Sequence, residues 1–442
     1  MAASAALARL LPLLLLLLPS PLRDYMISPA SHRQRRPDEH AGGELVLHPV
    51  VVVPGVSCPD LEARLTEAYR PSAARCGAMK GKGWFGLWEN SSALQDNDYM
   101  ECFTEQMSLV YDHAAGDYRN LPGVETRVPN FGFAKGFHEK NPFHPEWCLT
   151  RLIAALEEIG YRDGDTLLGA PYDIRHAPPI PGQISEVYSG YYKQFMALVE
   201  AATSRHRRKV IILGHSFGGM VALEFVRNTP PAWRDAHVKH LVLVAPTLAA
   251  TGFVDPVKNL ASGPHNLLYV PAATALSLRP MWRSFESNLA VLPSPAAFGR
   301  APPVVVTRRR NFSAHDVEAF LAAIGFADGV EPFRRRTVPK MRYHEAPMVA
   351  MTCINGVGNE TPRQLVYWDG DFDVLPEIVY GDGDGNINLE SMLAFDEMMR
   401  RQPGQRRRFK SIKLDKAQHG TIVTDEWSLR IVIQEVLAAN LM

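Results

Sequence analysis

The chain has no surplus of charge of either sign: 47 Lys and Arg stand against 47 Asp and Glu in 442 residues. Nothing in that balance supplies the basic field that draws a protein to nucleic acid, so a nucleic-acid partner is not expected. Beyond the first segment no apolar run approaches the ~20 residues of a spanning helix. Cysteine is scarce: Cys58, Cys76, Cys102, Cys148 and Cys353 show neither a C-x-x-C pair nor a Cys/His spacing, which leaves a metal or cofactor without a recognisable site. Their odd number leaves at least one thiol unpaired. No internal repeat is present. Hydrophobic residues make up 46% and charged residues 21%, a balance that excludes a disordered chain and allows a large core.

What is there begins with Leu10 to Leu18 (LLPLLLLLL), behind Arg9 and ahead of Pro19 and Pro21. Within residues 1–23 this reads as a signal peptide, although Pro19-Ser20-Pro21-Leu22 is no A-x-A cleavage pattern and an uncleaved interfacial anchor is the alternative. The sequence thus predicts passage through the secretory pathway. Asn90-Ser91-Ser92, Asn311-Phe312-Ser313 and Asn359-Glu360-Thr361 agree, as acceptor tripeptides for N-glycosylation. Residues 24–43 are polar and basic and read as a flexible lead-in. Spacing alone leaves two readings of Cys76 and Cys102: a disulfide around the loop that holds Trp84, Phe85, Leu87 and Trp88, or ordinary buried thiols.

Leu45 to Val53 (LVLHPVVVV) has the profile of a strand buried on both faces, closed by Pro54-Gly55. Thr166 to Gly169, Val210 to Leu213, His240 to Val244, Pro347 to Ile354, Glu377 to Tyr380 and Phe409 to Leu414 repeat that signature. Helical patterns intervene at Cys148 to Ile159, Met220 to Arg227 and Asp425 to Leu441. The alternation predicts an α/β chain with a mostly parallel sheet covered on both sides. Residues 44–250 form a first part of the core and residues 341–442 a second. Between them, residues 251–340 break the rhythm, rich in proline and with one clear helical stretch, Ala314 to Ile324.

Gly214-His215-Ser216-Phe217-Gly218 is a G-x-S-x-G motif set between an apolar strand and a helix-forming run. That context is what a nucleophile elbow requires, because a serine on a tight strand-to-helix turn is pushed out of the sheet. A serine hydroxyl needs a histidine base, itself held by a carboxylate, in the chain order Ser, acid, His. Asp382 and Asp384 lie in a loop after Glu377 to Tyr380, and His419 follows Phe409 to Leu414. Asp382, Asp384 and Asn386 also match the first EF-hand spacings, but Ile387 stands where the obligatory glycine belongs and Leu393 where the bidentate Glu belongs, so calcium is rejected. Phe217 and Ser57 are the candidate oxyanion donors through their backbone N–H groups, with a plain strand-ending turn as the alternative for Ser57. His215 is expected to point away from the nucleophile. The basic runs at 205–209, 334–336 and 406–408 read as solvated faces with no ligand assigned, with attraction to anionic headgroups as the alternative.

With these residues in place the chain resembles the lecithin:cholesterol acyltransferase family, including its lysosomal phospholipase and plant branches. The likeness is carried by Pro49 to Gly55 with Leu61 to Leu65, by Ala170-Pro171-Tyr172-Asp173-Ile174-Arg175, by Gly214 to Gly219 and by Tyr380 to Asn386. It implies an α/β-hydrolase core, a cap over residues 251–340 and a small disulfide-closed membrane-binding subdomain at residues 66–105, with Cys76 bonded to Cys102. It also implies Ser216 as nucleophile, Asp384 rather than Asp382 as acid, His419 as base, Phe217 and Ser57 as oxyanion donors, and Trp84, Phe85 and Trp88 at the lipid surface. Cys353 matches half of a second family disulfide whose partner, near Phe395, is absent, so that bridge should be missing. The implied activity moves an acyl group from a phospholipid to a lipid alcohol such as a sterol. Phospholipase A hydrolysis and a non-catalytic lipid-binding protein are the other readings, and a monomer without cofactor is expected.

Overall fold

The computed structural model describes residues 47–87, 94, 96–137, 148–265 and 271–441. The hydrophobic leader, the 24–43 lead-in, Trp88 and Asn90 lie outside the described residues. Short runs of Val, Ile and Leu form six strands: β1 (Val50–Val53), β2 (Leu167–Gly169), β3 (Val210–His215), β4 (Val238–Val244), β5 (Met351–Val357) and β6 (Phe409–Asp415). They lie in the order β6-β5-β4-β3-β1-β2, every pair parallel. Among the helices that frame them or their neighbours are α1 (Asn97–Met107), α2 (Thr150–Glu158), α3 (Glu186–His206), α4 (Phe217–Arg227), α5 (Ala272–Ser284), α6 (Leu389–Arg400) and α7 (Glu426–Leu441).

Side chains alternate across a strand, so each apolar run feeds two cores. Val51, Val53, Ile212, Leu241 and Leu243 pack with Phe195 of α3, Val221 of α4 and Phe395 of α6. Val50, Val52, Ile211, Leu213 and Val244 pack with Leu152 of α2 and Val432 and Val436 of α7. Each fully buried aliphatic side chain contributes about 1.5–3 kcal/mol. A parallel sheet so covered, with an excursion between β4 and β5, has the architecture of an α/β-hydrolase.

The sequence did not indicate α3, because Gly190 and the pair Tyr191-Tyr192 weaken its helical pattern. A signal was present: Ser185 caps the Tyr188 N–H, and Tyr188, Tyr191, Phe195, Val199 and Ala202 recur at helical spacing and are buried. Glu377 to Tyr380 is a strand but not part of the central sheet. It runs antiparallel to Asn359–Val366 in a hairpin that also pairs with Val305–Val306, and most of it is exposed rather than buried on both faces. The hairpin contributes Leu365 and Tyr367 to a separate core with Val254, Leu260, Leu292 and Phe320 of the excursion. Its residues therefore pack with the excursion rather than with the central sheet, although they fall after residue 340.

Ahead of α2, Glu62–Leu65 pairs antiparallel with both Phe85–Gly86 and Val124–Arg127. Cys76 and Cys102 are bonded, and closing their 26-residue separation stabilises the fold by about 3–4 kcal/mol on loop entropy. A second disulfide, Cys58–Cys148, fastens the loop after β1 to the residues just before α2. Spacing gave no pairing for these two cysteines, because 90 residues separate them. Cys353 is the free, buried thiol, pushed up to about 12 by its burial. Ala275, Leu278 and Met281 of α5 pack on Leu61, Phe103 and Met107, so the excursion and the disulfide-closed segment share a core.

Buried charges tie the layers together. Glu286 accepts from Arg336 at 2.6 Å and Lys340 at 2.8 Å, and Arg336 also reaches Asp117 at 3.2 Å. Arg175, fully buried, forks onto Asp173 at 2.6 and 2.9 Å and donates to Met107, Asn120 and Thr126. The Asp173-Ile174-Arg175 stretch thereby fixes residues 107–126 to the edge of the central sheet.

Candidate active site

Ser216 sits between the last residue of β3 and the first of α4 with φ +55°, a conformation an L-residue adopts only when its surroundings impose it. The surroundings do so by close packing. A Cβ on Gly214 would lie 2.6 Å from the Gly218 carbonyl oxygen, and one on Gly218 would lie 2.3 Å from the carbonyls of Val53 and Pro54. Only glycine at both positions lets β1, β3 and α4 meet this closely. The turn is then pinned by the Ser216 N–H on Val244 and by the Thr247 N–H on the Ser216 carbonyl.

The Ser216 hydroxyl lies 2.9 Å from Nε2 of His419, and Nδ1 of the same ring lies 3.0 Å from Oδ2 of Asp384. A carboxylate can only accept, so Nδ1 carries the hydrogen and Nε2 is left as the acceptor for the serine O–H. Asp384 is fully buried, and its other oxygen accepts the backbone N–H groups of Asn386 at 3.0 Å and Ile387 at 2.6 Å. The His419 N–H donates to the Asp384 carbonyl at 2.8 Å, locking the two loops together. Asp382 is exposed and accepts the Gly358 N–H instead, so of the two aspartates only Asp384 meets the imidazole.

His215 makes a contact that the sequence did not indicate. Its buried ring lies 5.7 Å from that of His419, and its Nε2–H donates to the His419 carbonyl at 3.2 Å. Burial, and then the neighbouring His419, push the His215 imidazole down to about 3, so it is neutral. Its Nδ1 has no partner among the described residues. Tyr172, to which sequence gave no role, donates its hydroxyl to the Pro54 carbonyl at 2.9 Å and stacks on Phe217 with 5.9 Å between ring centres. It thus braces the turn after β1 against the residue following Ser216.

As the first residue of α4, Phe217 has a backbone N–H that the helix cannot use. On the facing turn the residue against the nucleophile is Gly55: a Cβ there would be 3.3 Å from the Ser216 Cβ and 3.7 Å from its oxygen. Ser57 is exposed, with its hydroxyl 3.6 Å from the Cys148 sulfur. Trp84 is half-buried between the guanidinium groups of Arg64 and Arg127, 5.0 and 4.4 Å from its ring centre, and Phe85 is partly buried against the subdomain core. Asn311 is exposed, whereas the Asn359 amide is engaged with the Ala417 carbonyl at 2.8 Å. Among the described residues no group of three or more His, Cys, Asp or Glu is placed to hold a metal, and no helix is long and apolar enough to cross a membrane.

Comparison with known proteins gives these residues a context. The lecithin:cholesterol acyltransferase family profile matches residues 84–328. A protein of Oryza sativa subsp. japonica named lecithin-cholesterol acyltransferase-like 1 is 43% identical over 361 residues, 80% of this chain and 79% of that one. Its namesake in Arabidopsis thaliana is 37% identical over 89% of this chain and 90% of its own length. The lysosomal phospholipase A and acyltransferase of Bos taurus is 30% identical over 78% of this chain and 81% of its own. With a serine elbow on a doubly covered parallel sheet and relatives matched along most of their length, the chain belongs to the lecithin:cholesterol acyltransferase family.

Proposed function

We propose that the chain is a serine-dependent acyltransferase that takes a fatty acyl group from a phospholipid and passes it to a lipid alcohol such as a sterol. The observation that carries this reading is the hydrogen-bonded series Ser216, His419, Asp384 at the carboxyl edge of the sheet. The Ser216 oxygen attacks the ester carbonyl while His419 Nε2 takes its proton, and Asp384 stabilises the imidazolium that forms. The tetrahedral oxyanion is held by the Phe217 N–H and by a second N–H from the turn after β1. Ser57 is the sequence candidate for that second donor, and the contact of Gly55 with Ser216 favours the Val56 N–H as its rival. Collapse of the intermediate breaks the ester bond, His419 returns its proton to the departing lysophospholipid oxygen, and an acyl ester remains on Ser216. The acceptor alcohol then gives its proton to His419 as it attacks that ester, and the product ester leaves with the serine hydroxyl restored.

Water in place of the alcohol gives phospholipase A activity by the same steps, and relatives named for both activities support keeping that second reading. Work at a lipid surface, as a monomer in a secretory or lysosome-like lumen, agrees with the family and with Trp84 and Phe85 on the disulfide-closed segment. The test incubates the protein with phosphatidylcholine liposomes, with and without sterol, and follows the acyl chain. Sterol ester supports transfer, and free fatty acid alone supports hydrolysis. A fluorophosphonate probe should label the wild type and spare Ser216→Ala. A folded protein that neither takes the probe nor releases an acyl chain is a lipid-binding module, and the catalytic reading is then wrong.

A further inference from the structure

The three basic runs of the sequence meet different fates in the fold. Arg334, Arg335 and Arg336 are neutralised by Glu318, Glu331 and Glu286. Arg205 and His206 share Asp165. Arg207, Arg208 and Lys209 find no carboxylate within ion-pair distance among the described residues. They converge instead with Lys239, His48 and Ala350 around a hollow of about 580 Å³ open to solvent.

The hollow is built by the sheet. Lys209 immediately precedes β3, His48 lies two residues before β1, Lys239 is the second residue of β4, and Ala350 immediately precedes β5. Parallel strands begin side by side about 4.8 Å apart, so charges far apart in sequence are brought to one rim. Arg408, whose carbonyl accepts the Met351 N–H, extends that rim by one strand. His48 is fixed by its Nδ1–H on the Lys209 carbonyl at 2.7 Å, leaving Nε2 free of that contact. Ser216 is at the other end of β3, about 22–24 Å from Lys209 along the strand, so a ligand here does not occupy the Ser216 site.

Four uncompensated cations around one concavity leave a monovalent anion too few charges to satisfy them. Guanidinium forks and lysine point charges together suit phosphate oxygens. We propose that this hollow binds a multivalent phosphoester, at the edge of the sheet opposite the nucleophile. The ligand is either a soluble polyphosphorylated molecule or the phosphomonoester headgroup of a membrane lipid, and the chemistry of recognition is the same.

The experiment uses the full chain at physiological salt, where non-specific surface attraction is largely screened. One arm titrates inositol hexakisphosphate, and the other sediments phosphatidylcholine vesicles with and without phosphatidate. Binding in the first arm alone assigns a soluble ligand, and binding in the second alone assigns a headgroup. Arg208→Glu with Lys239→Glu should weaken binding about tenfold or more, while Lys193→Glu with Arg309→Glu, an equal change of charge elsewhere, should leave it intact. Turnover of a soluble ester should be unchanged in both. Should the first pair fail to fold, acetylation of the wild-type protein decides: the phosphoester should shield Lys209 and Lys239 but not Lys193. Absence of binding in both arms, equal loss in the control pair, or no selective shielding overturns the proposal.

Discussion

His215 hands its Nε2 hydrogen to the carbonyl of His419 at 3.2 Å, so the residue before Ser216 holds the backbone of the residue whose ring meets Ser216. Removing that bond should let the His419 loop relax away from Ser216. His215→Ala is expected to lower kcat about tenfold, the equivalent of one hydrogen bond, with KM little changed. His215→Gln, which keeps a donor, should recover part of the loss. A fall in KM-linked binding rather than in kcat would mark His215 as a packing residue only.

The same histidine makes the fold sensitive to acid. Unfolded, it takes a proton near its ordinary 6.5, whereas burial first, and then His419, hold the folded site down to about 3. His240 behaves alike: burial, then Lys239 and Lys410, hold it at about 4. Between these values and 6.5 the unfolded chain binds more protons than the folded one, so stability rises with pH and is lost as pH falls, by up to about 1.4 kcal/mol per pH unit per group. Glu224, raised by its own burial, pulls the opposite way. Melting temperature followed from pH 7 to pH 4, a range set by these histidines, should fall less steeply in His240→Asn than in the wild type. Parallel curves would refute the assignment.

The two aspartates of the acid loop should separate cleanly. Asp384→Asn keeps the shape but offers His419 Nδ1 the wrong partner, and kcat should drop by about four orders of magnitude. Asp382→Asn still accepts the Gly358 N–H and should change kcat less than about threefold. Comparable losses in the two variants would place the acid elsewhere.

Glu286 lies between Arg336 and Lys340 with no solvent access. Burial alone would raise its carboxyl, but Lys340 and Arg336 hold it down to about 2. Glu286→Gln leaves two buried cations uncompensated and should cost about 3–5 kcal/mol. Urea denaturation measures this directly. A cost under about 1 kcal/mol would mean that water reaches the cluster.

Sequence made the Ser216 turn and the candidate His419 legible because chain order and turn chemistry are local: glycines at 214 and 218, a serine between them, and a histidine just after a strand. The Asp384 loop was local too, but its setting was not. Glu377 to Tyr380 looks like any short apolar strand, and only the partner strand Asn359–Val366, which carries Pro362 and Arg363, decides which sheet it joins. The same limit hid Cys58–Cys148 and the brace from Tyr172 to Pro54, since both unite residues about a hundred positions apart whose pairing no periodicity encodes. The contact of His215 was hidden for another reason. Alternation along β3 predicts which side its ring leaves the sheet, but not that the chain returns past that side at residue 419.

Because the strand Glu377–Gly383 runs straight into Asp384 while belonging to the three-stranded sheet with Val305–Val306 rather than to the central one, the carboxylate beside His419 is moored to the layer that the excursion builds. Tugging on that layer means tugging on the carboxylate. A change of packing anywhere in residues 251–340 would then reach the Asp384–His419 contact through the backbone of that hairpin.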